Sequence, residues 1–374
     1  MPSLPLIIDV TRGSGVESRH RVHAVVSDCH GHVSLSYGDE GLAIFPRSAI
    51  KPLQALPLVE SGAARALNLS PFQLSLACAS HNGEPLHTDA VADWLNQLGV
   101  DEGQLICAGH WSINQAALID QVRRRGLSEL DGLSGLDGLG ELDKLGELDG
   151  LNELNEQDRP RSAMPTQRHN NCSGKHCGLL SLAQHMGAPM DGYWRADHPV
   201  QQQLLRTLQD MTHTRLDMGQ AGIDGCGIPT IPVPLAALAR AFAHWANPVN
   251  QPKARQDAIE QISNAIWDHP LAMAGTGRYC SRVNALKRAD GIDVLVKTGA
   301  EGVFCAALPS LGLGIALKVE DGATRASEVA LTTLLDQLNL FADASNDTRA
   351  LINTLKKPGI TNWANDRVGE IDVY

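Results

Sequence analysis

Apolar residues recur along this chain with two periods, and the stretches in which each period holds divide it into elements. Leu4 to Val10 and Arg21 to Ser27 alternate or run apolar between Gly and charged residues, which predicts two paired strands at the edge of a sheet. The TRGSGVESRHR stretch between them is rich in turn formers and charge and reads as their connection. Ser48 to Leu58 (SAIKPLQALPL) switches to helical spacing. Pro52 limits where that helix begins, because only the first four N–H groups of a helix lack an intrahelical acceptor. Ser48 therefore falls at the N-cap or in the first turn, where the helix dipole favours a developing negative charge, and Lys51 lies one turn on, on the same face.

Further along, Pro71 to Ala79 opens a helix that ends in Ser80-His81-Asn82-Gly83-Glu84, and His87 to Leu98 resumes helical spacing. His169 to Gly178 (HNNCSGKHCG) reads as a polar loop leading into the apolar GLLSLAQHM helix, and Gly222 to Gly227 and Ala274 to Arg278 read as tight loops. Ile292 to Lys297, Val303 to Leu308 and Leu313 to Val319 make a short strand meander. Ala323 to Leu340 carries Val329, Leu331, Leu334, Leu335 and Leu338 on one apolar stripe, which predicts a helix packed on that sheet. The pattern specifies an α+β fold, with sheet pieces at both chain ends and helices between.

Composition narrows the function classes. With 374 residues, 43% hydrophobic and 20% charged, the chain can bury a large core. No segment approaches the roughly eighteen apolar residues of a membrane span, and the start has no basic, apolar leader pattern, so a cytoplasmic protein is expected. A net charge of −11 argues against nucleic acid as the main partner. Eight cysteines, mostly separated singletons, favour reduced thiols or a metal site over disulfides. The acidity is concentrated at 127–156, where LSELDG, LSGLDG, LGELDK, LGELDG and LNELNE repeat a six-residue unit. Leucine every third residue presents no steady helical face, so we read 127–157 as a low-complexity surface insertion within a single domain, 1–374.

Candidate chemistry lies in three short motifs and one cluster. Ser48 to Lys51 is S-x-x-K at a helix start, Ser80 to Asn82 is S-x-N, and Lys297 to Gly299 is K-T-G at a strand end. Their joint order is that of serine β-lactamases and penicillin-binding proteins. A serine hydroxyl is a poor nucleophile at neutral pH, and a lysine can activate it only when neutral, a state favoured by burial and by a neighbouring cation. Cys172, His176, Cys177 and Cys226 are sulfur and imidazole donors that suit zinc, with core packing as the alternative.

Several blocks together carry a family resemblance: Arg12-Gly13 with Glu17-Ser18-Arg19-His20, RSAIKPLQALPLVESGA at 47–63, SHNGEPLH at 80–87, NCSGKHCG at 171–178, GIDGCG at 222–227 and KTGAEG at 297–302. The chain resembles the asparaginase II family, the class 3 or rhizobial-type L-asparaginases, from about residue 5 to VGEIDV at the C-terminus except for 127–160. The resemblance implies a serine β-lactamase-like fold and hydrolysis of L-asparagine to L-aspartate and ammonia, with Ser48 as nucleophile. It implies two Ser-Lys tandems, Ser48 with Lys51 and Ser80 with Lys297, beside a zinc held by Cys172, Lys175 and Cys226. Asp224 and His176 would then support the ligands from behind. For a free amino acid, Arg47 is the candidate for the α-carboxylate and Glu301 for the α-ammonium, with Arg278 in reserve and Asn82 lining the site. A homodimer is expected from the same resemblance. A glutaminase or other serine amidohydrolase would keep the three motifs, and a metal-binding regulatory protein would leave Ser48 as a helix cap.

Overall fold

A computed structural model describes residues 3–112, 114–123 and 164–374, so the acidic repeat lies outside the described residues. One antiparallel sheet is built from β1 (Leu6–Arg12), β2 (Gly15–Asp28), β3 (Val33–Tyr37), β4 (Leu295–Thr298), β5 (Val303–Leu308), β6 (Leu313–Val319), β7 (Gly359–Thr361) and β8 (Arg367–Val373). Its spatial order is β7-β8-β1-β2-β6-β5-β4, with β3 following β1 along the same side of β2. The expected α+β architecture and the meander of β4, β5 and β6 are both present.

Two strand expectations change. The first hairpin is interior and not at an edge, because β8 covers the free side of β1 and β6 covers that of β2. Those covering strands come from the far end of the chain, which local periodicity cannot report. The expected connection is also mostly strand: only Gly13 and Ser14 turn, with Gly13 at φ 57°. The charged residues beyond it stay in β2 because each finds a neighbour, Glu17 with Arg12 at 2.8 Å, Arg19 with Asp9 at 2.7 Å and His20 with Asp321 at 2.6 Å.

The pleat sorts the strand residues between two cores. In β5, Val303, Cys305 and Ala307 face one core, and Phe304, Ala306 and Leu308 face the other. The helices packed about the sheet include α1 (Lys51–Glu60), α2 (Pro71–Ala77), α3 (Pro85–Leu98), α4 (Ser173–His185), α5 (Leu235–Ala246) and α6 (Thr324–Gln337). The stripe Val329, Leu331, Leu334 and Leu335 is buried and packs α6 on one face of the sheet, as its pattern predicts. Helix α5 lies on the other face, under a layer containing α1, α2 and α4.

Helices α1 and α4 are buried on nearly every side, as expected of helices apolar all round. Helix α1 begins one turn later than its pattern predicts. Arg47–Ile50 form a 3-10 turn, and Pro52 is the second residue of α1, where its missing N–H costs nothing. Helix α4 begins earlier, at Ser173, so SGKHCG forms its first turns and not a loop. Gly174 explains this: a Cβ there would stand 2.4 Å from the Leu76 carbonyl oxygen, so the glycine serves close helix packing.

Candidate active site

Helix α1 enters the interior amine first. Lys51 is its first residue, and because the helix is buried around its circumference the side chain is only 1% exposed. Its Nζ donates to the Ala79 carbonyl, to Ser80 Oγ at 3.1 Å and to Cys172 Sγ at 3.1 Å. Ser80 is held in turn by its backbone N–H donating to Met273 O. Next to it, His81 Nε2 donates to Ser173 Oγ at 2.9 Å while Nδ1 accepts from the Gly83 N–H at 3.0 Å. Burial holds the His81 pKa well below its ordinary value, so the ring is neutral, and this bond ties the 80–84 loop to the start of α4.

The structure pairs Lys51 with Ser80, whereas the sequence expectation pairs it with Ser48. Ser48 lies in the 3-10 turn before α1, and no hydrogen bond joins its hydroxyl to the Lys51 amine. The Ser48 hydroxyl is half-buried and makes no hydrogen bond among the described residues. Its neighbour Arg47 has φ 51°, an uncommon conformation for a residue with a Cβ. The K-T-G strand end packs on this turn: a Cβ at Gly299 would stand 2.6 Å from Pro46 O and 3.2 Å from Ala49 N.

Lys297 reaches the same region through strand register. Its partner is Cys305, so it shares the face of Leu295 and Cys305 that meets the helical layer. It is 1% exposed and its Nζ donates to Thr298 O at 2.8 Å. Burial pushes its pKa down to about 7, with the charges of Lys51 and Arg278 acting the same way and Cys280 opposing. An amine that titrates near neutral pH can give up its proton there and accept one in turn.

The four metal donors nominated by spacing do not assemble. His176 Nδ1 pairs with Tyr193 Oη at 2.7 Å, and Cys177 is core, its thiol pKa raised by burial. Among the described residues no three or more His, Cys, Asp or Glu side chains are grouped to hold a metal. Cys172, Lys175 and Cys226 do converge and are buried, with Lys175 Nζ donating to Cys226 Sγ at 2.7 Å. A hydrogen bond from Cys226 keeps the Cys172 pKa well down, against burial and helped by Lys51 and Lys175. The same contact raises Cys226. Burial works against the charge on Lys175, but the two sulfurs outweigh it and hold its pKa above the ordinary value. Two sulfurs and an amine are a donor set that fits zinc once the amine gives up its proton.

The remaining expected residues divide. Arg47 Nε donates to Asp224 Oδ1 at 2.6 Å, so Asp224 braces Arg47 as well as lying within electrostatic reach of Lys175. Asn82 is fully buried and accepts from Arg278 Nη1 at 3.1 Å. Glu301 is not brought to the site; it is exposed in the β4–β5 turn at φ 60°, with its carboxylate against Gly322. Two residues that sequence reasoning misses, Glu84 and Thr276, tie the Asn82 loop to the Arg278 loop. The only local sign of Glu84 is its place before Pro85, at the N-cap of α3.

No curated protein matches the chain. Among solved structures, Mglu in its tris and glutamate form aligns with a TM-score of 0.42 and 13% identity, over 86% of this chain and 59% of that one. A Bacteroides dorei protein classed as a β-lactamase aligns at 0.34 and 14% identity, over 86% and 88%. The chain thus spans 59% of the Mglu chain's length, and both likenesses are loose. The L-asparaginase II profile matches residues 8–129 and 151–373, interrupted only within the acidic repeat. That match covers both ends of the sheet, every helix α1 to α6 and all the site residues above, and the chain belongs to the L-asparaginase II family.

Proposed function

We propose that the protein hydrolyses L-asparagine to L-aspartate and ammonia through an acyl-enzyme on Ser48. The observation that supports this reading is a pair of buried amines within electrostatic reach of each other: Lys51 on Ser80 at 3.1 Å, and Lys297, with a pKa pushed down to about 7, on the facing strand. The unpartnered Ser48 hydroxyl attacks the side-chain amide carbon, and its proton passes to a neutral lysine amine, for which Lys297 is the better suited. Lys51 orients Ser80 as the relay that returns a proton to the departing nitrogen, which leaves as ammonia. Water then resolves the ester by the reverse path and releases L-aspartate. The order of S-x-x-K, S-x-N and K-T-G on helix, loop and strand supports a serine β-lactamase-like, class 3 reading.

Arg278 is better placed than Arg47 to receive the α-carboxylate, since it stands near Lys297 while the Arg47 Nε is engaged by Asp224. Nothing in the placement of Glu301 supports its role toward the α-ammonium. Zinc on Cys172, Lys175 and Cys226, when bound, would supply fixed positive charge next to the Lys51–Ser80 pair. We read the enzyme as a single-domain cytoplasmic homodimer on the family resemblance; among the described residues no helix is long and apolar enough to cross a membrane.

Ammonia release from L-asparagine and from L-glutamine, in wild type and Ser48→Ala, tests the reading. Wild type should prefer L-asparagine, and Ser48→Ala should lose at least about 10³-fold with its circular dichroism unchanged. Full activity in Ser48→Ala would exclude Ser48 as the nucleophile.

A further inference from the structure

We propose that Glu84 is the positioning residue of the substrate-carboxylate subsite, acting through Asn82 on Arg278. This rests on the reading of Arg278 as the carboxylate receiver.

Glu84 is a carboxylate only 9% exposed, and no lysine or arginine pairs with it. Such a group is costly unless hydrogen bonds replace its water. Its donors all come from two loops: Asn82 Nδ2 at 3.0 Å, the Thr276 backbone N–H at 3.0 Å and Thr276 Oγ1 at 3.2 Å. The bond to Thr276 closes a separation of 192 residues. Glu84 is anchored on its own side as well, because its backbone N–H donates to His87 Nδ1 at 3.2 Å at the start of α3. No hydrogen bond or ion pair joins it to Ser48, Lys51, Ser80 or Lys297.

What Glu84 controls is the direction of the Asn82 amide. The two N–H donors of that amide go to Glu84 Oε1 and to Thr276 O at 3.1 Å, which leaves Oδ1 as the end presented to Arg278 Nη1 at 3.1 Å. Turned over, the amide would aim N–H groups at a guanidinium that can only donate. The Glu84 carboxylate therefore selects the one orientation in which Asn82 can hold Arg278. Arg278 is half-exposed and close enough to Lys297 to depress it electrostatically, so a ligand carboxylate at Arg278 would lie next to the reacting end of the pocket. Glu84 in this way makes the site select β-amides that carry an α-carboxylate.

The experiment is steady-state kinetics on L-asparagine with Glu84→Gln, Thr276→Val, Arg278→Ala and the double variant Glu84→Gln/Arg278→Ala. Gln at 84 can no longer accept from every donor, so KM should rise by about tenfold while kcat changes less than about threefold. Thr276→Val removes one donor and leaves the carboxylate in place, and it should raise KM about threefold, so the test survives if Glu84→Gln fails to fold. In the Arg278→Ala background, Glu84→Gln should add less than about twofold, since its effect passes through Arg278. Unchanged KM in both single variants, or a full Glu84→Gln effect without Arg278, overturns the proposal. A wild type that neither binds nor cleaves L-asparagine overturns the function reading instead.

Discussion

Lys51 and Lys297 are equally buried but differ in what surrounds the amine. Lys51 has a carbonyl, a hydroxyl and a sulfur around its amine, whereas Lys297 has one carbonyl and two nearby cations. Burial without compensation favours the neutral amine, which makes Lys297 the residue whose protonation should shape the rate. Activity should be low below pH 6 and climb through about pH 7 as Lys297 loses its proton, and Lys297→Arg, which stays charged, should be inactive throughout. A kcat/KM profile flat from about pH 6 to 9 would remove Lys297 from the role of base. The same shift bears on stability. The unfolded chain binds a proton on Lys297 that the folded chain does not between about pH 7 and 10.5, so stability rises with pH across that window. Near pH 7 the buried amine costs up to about 4 kcal/mol. Lys297→Met should therefore raise the denaturation midpoint at pH 7 and flatten its increase between pH 7 and 9, at the cost of activity.

At the scale of elements, positions follow from which backbones touch. Gly174 and Gly299 are the points where α4 meets the end of α2 and where β4 meets the Arg47–Ile50 turn. Gly299→Ala would force the strand end away from Pro46 and Ala49, the residues bracketing the Ser48 turn. We expect kcat/KM to fall more than about tenfold, with a stability loss of only about 1–3 kcal/mol, because the crowding is local. Full activity in this variant would show that the strand end does not set the Ser48 geometry. Helical spacing made the existence of α1 legible and Pro52 bounded its start, but the 3-10 turn ahead of it was not, since it depends on the strand packed against it. SGKHCG looked like a loop for a related reason. Its polar and glycine residues resemble a surface segment, and only the Leu76 backbone above Gly174 shows that they are buried.

For the whole molecule, the sheet pairs strands from opposite ends of the chain, β1 with β8 and β2 with β6. The acidic repeat interrupts the chain between elements that the family match covers on both sides. Deleting Leu127 to Glu156 should leave kcat/KM within a fewfold and the fold intact; loss of activity in a folded deletion variant would show that the repeat shapes the pocket.

The sequence by itself determined the elements and the chemistry available to them. Period-two and period-3.6 patterns specify an α+β chain, and three short motifs with their flanking blocks identify the family, because these are properties of residues close along the chain. Tertiary structure alone decided the partners. Lys51 hydrogen-bonds Ser80, Arg47 goes to Asp224, Glu301 lies exposed in a turn, and Glu84 reaches across 192 residues to Thr276. Such pairings depend on register, helix phase and which backbones approach most closely, and these are set only when distant segments are packed against one another.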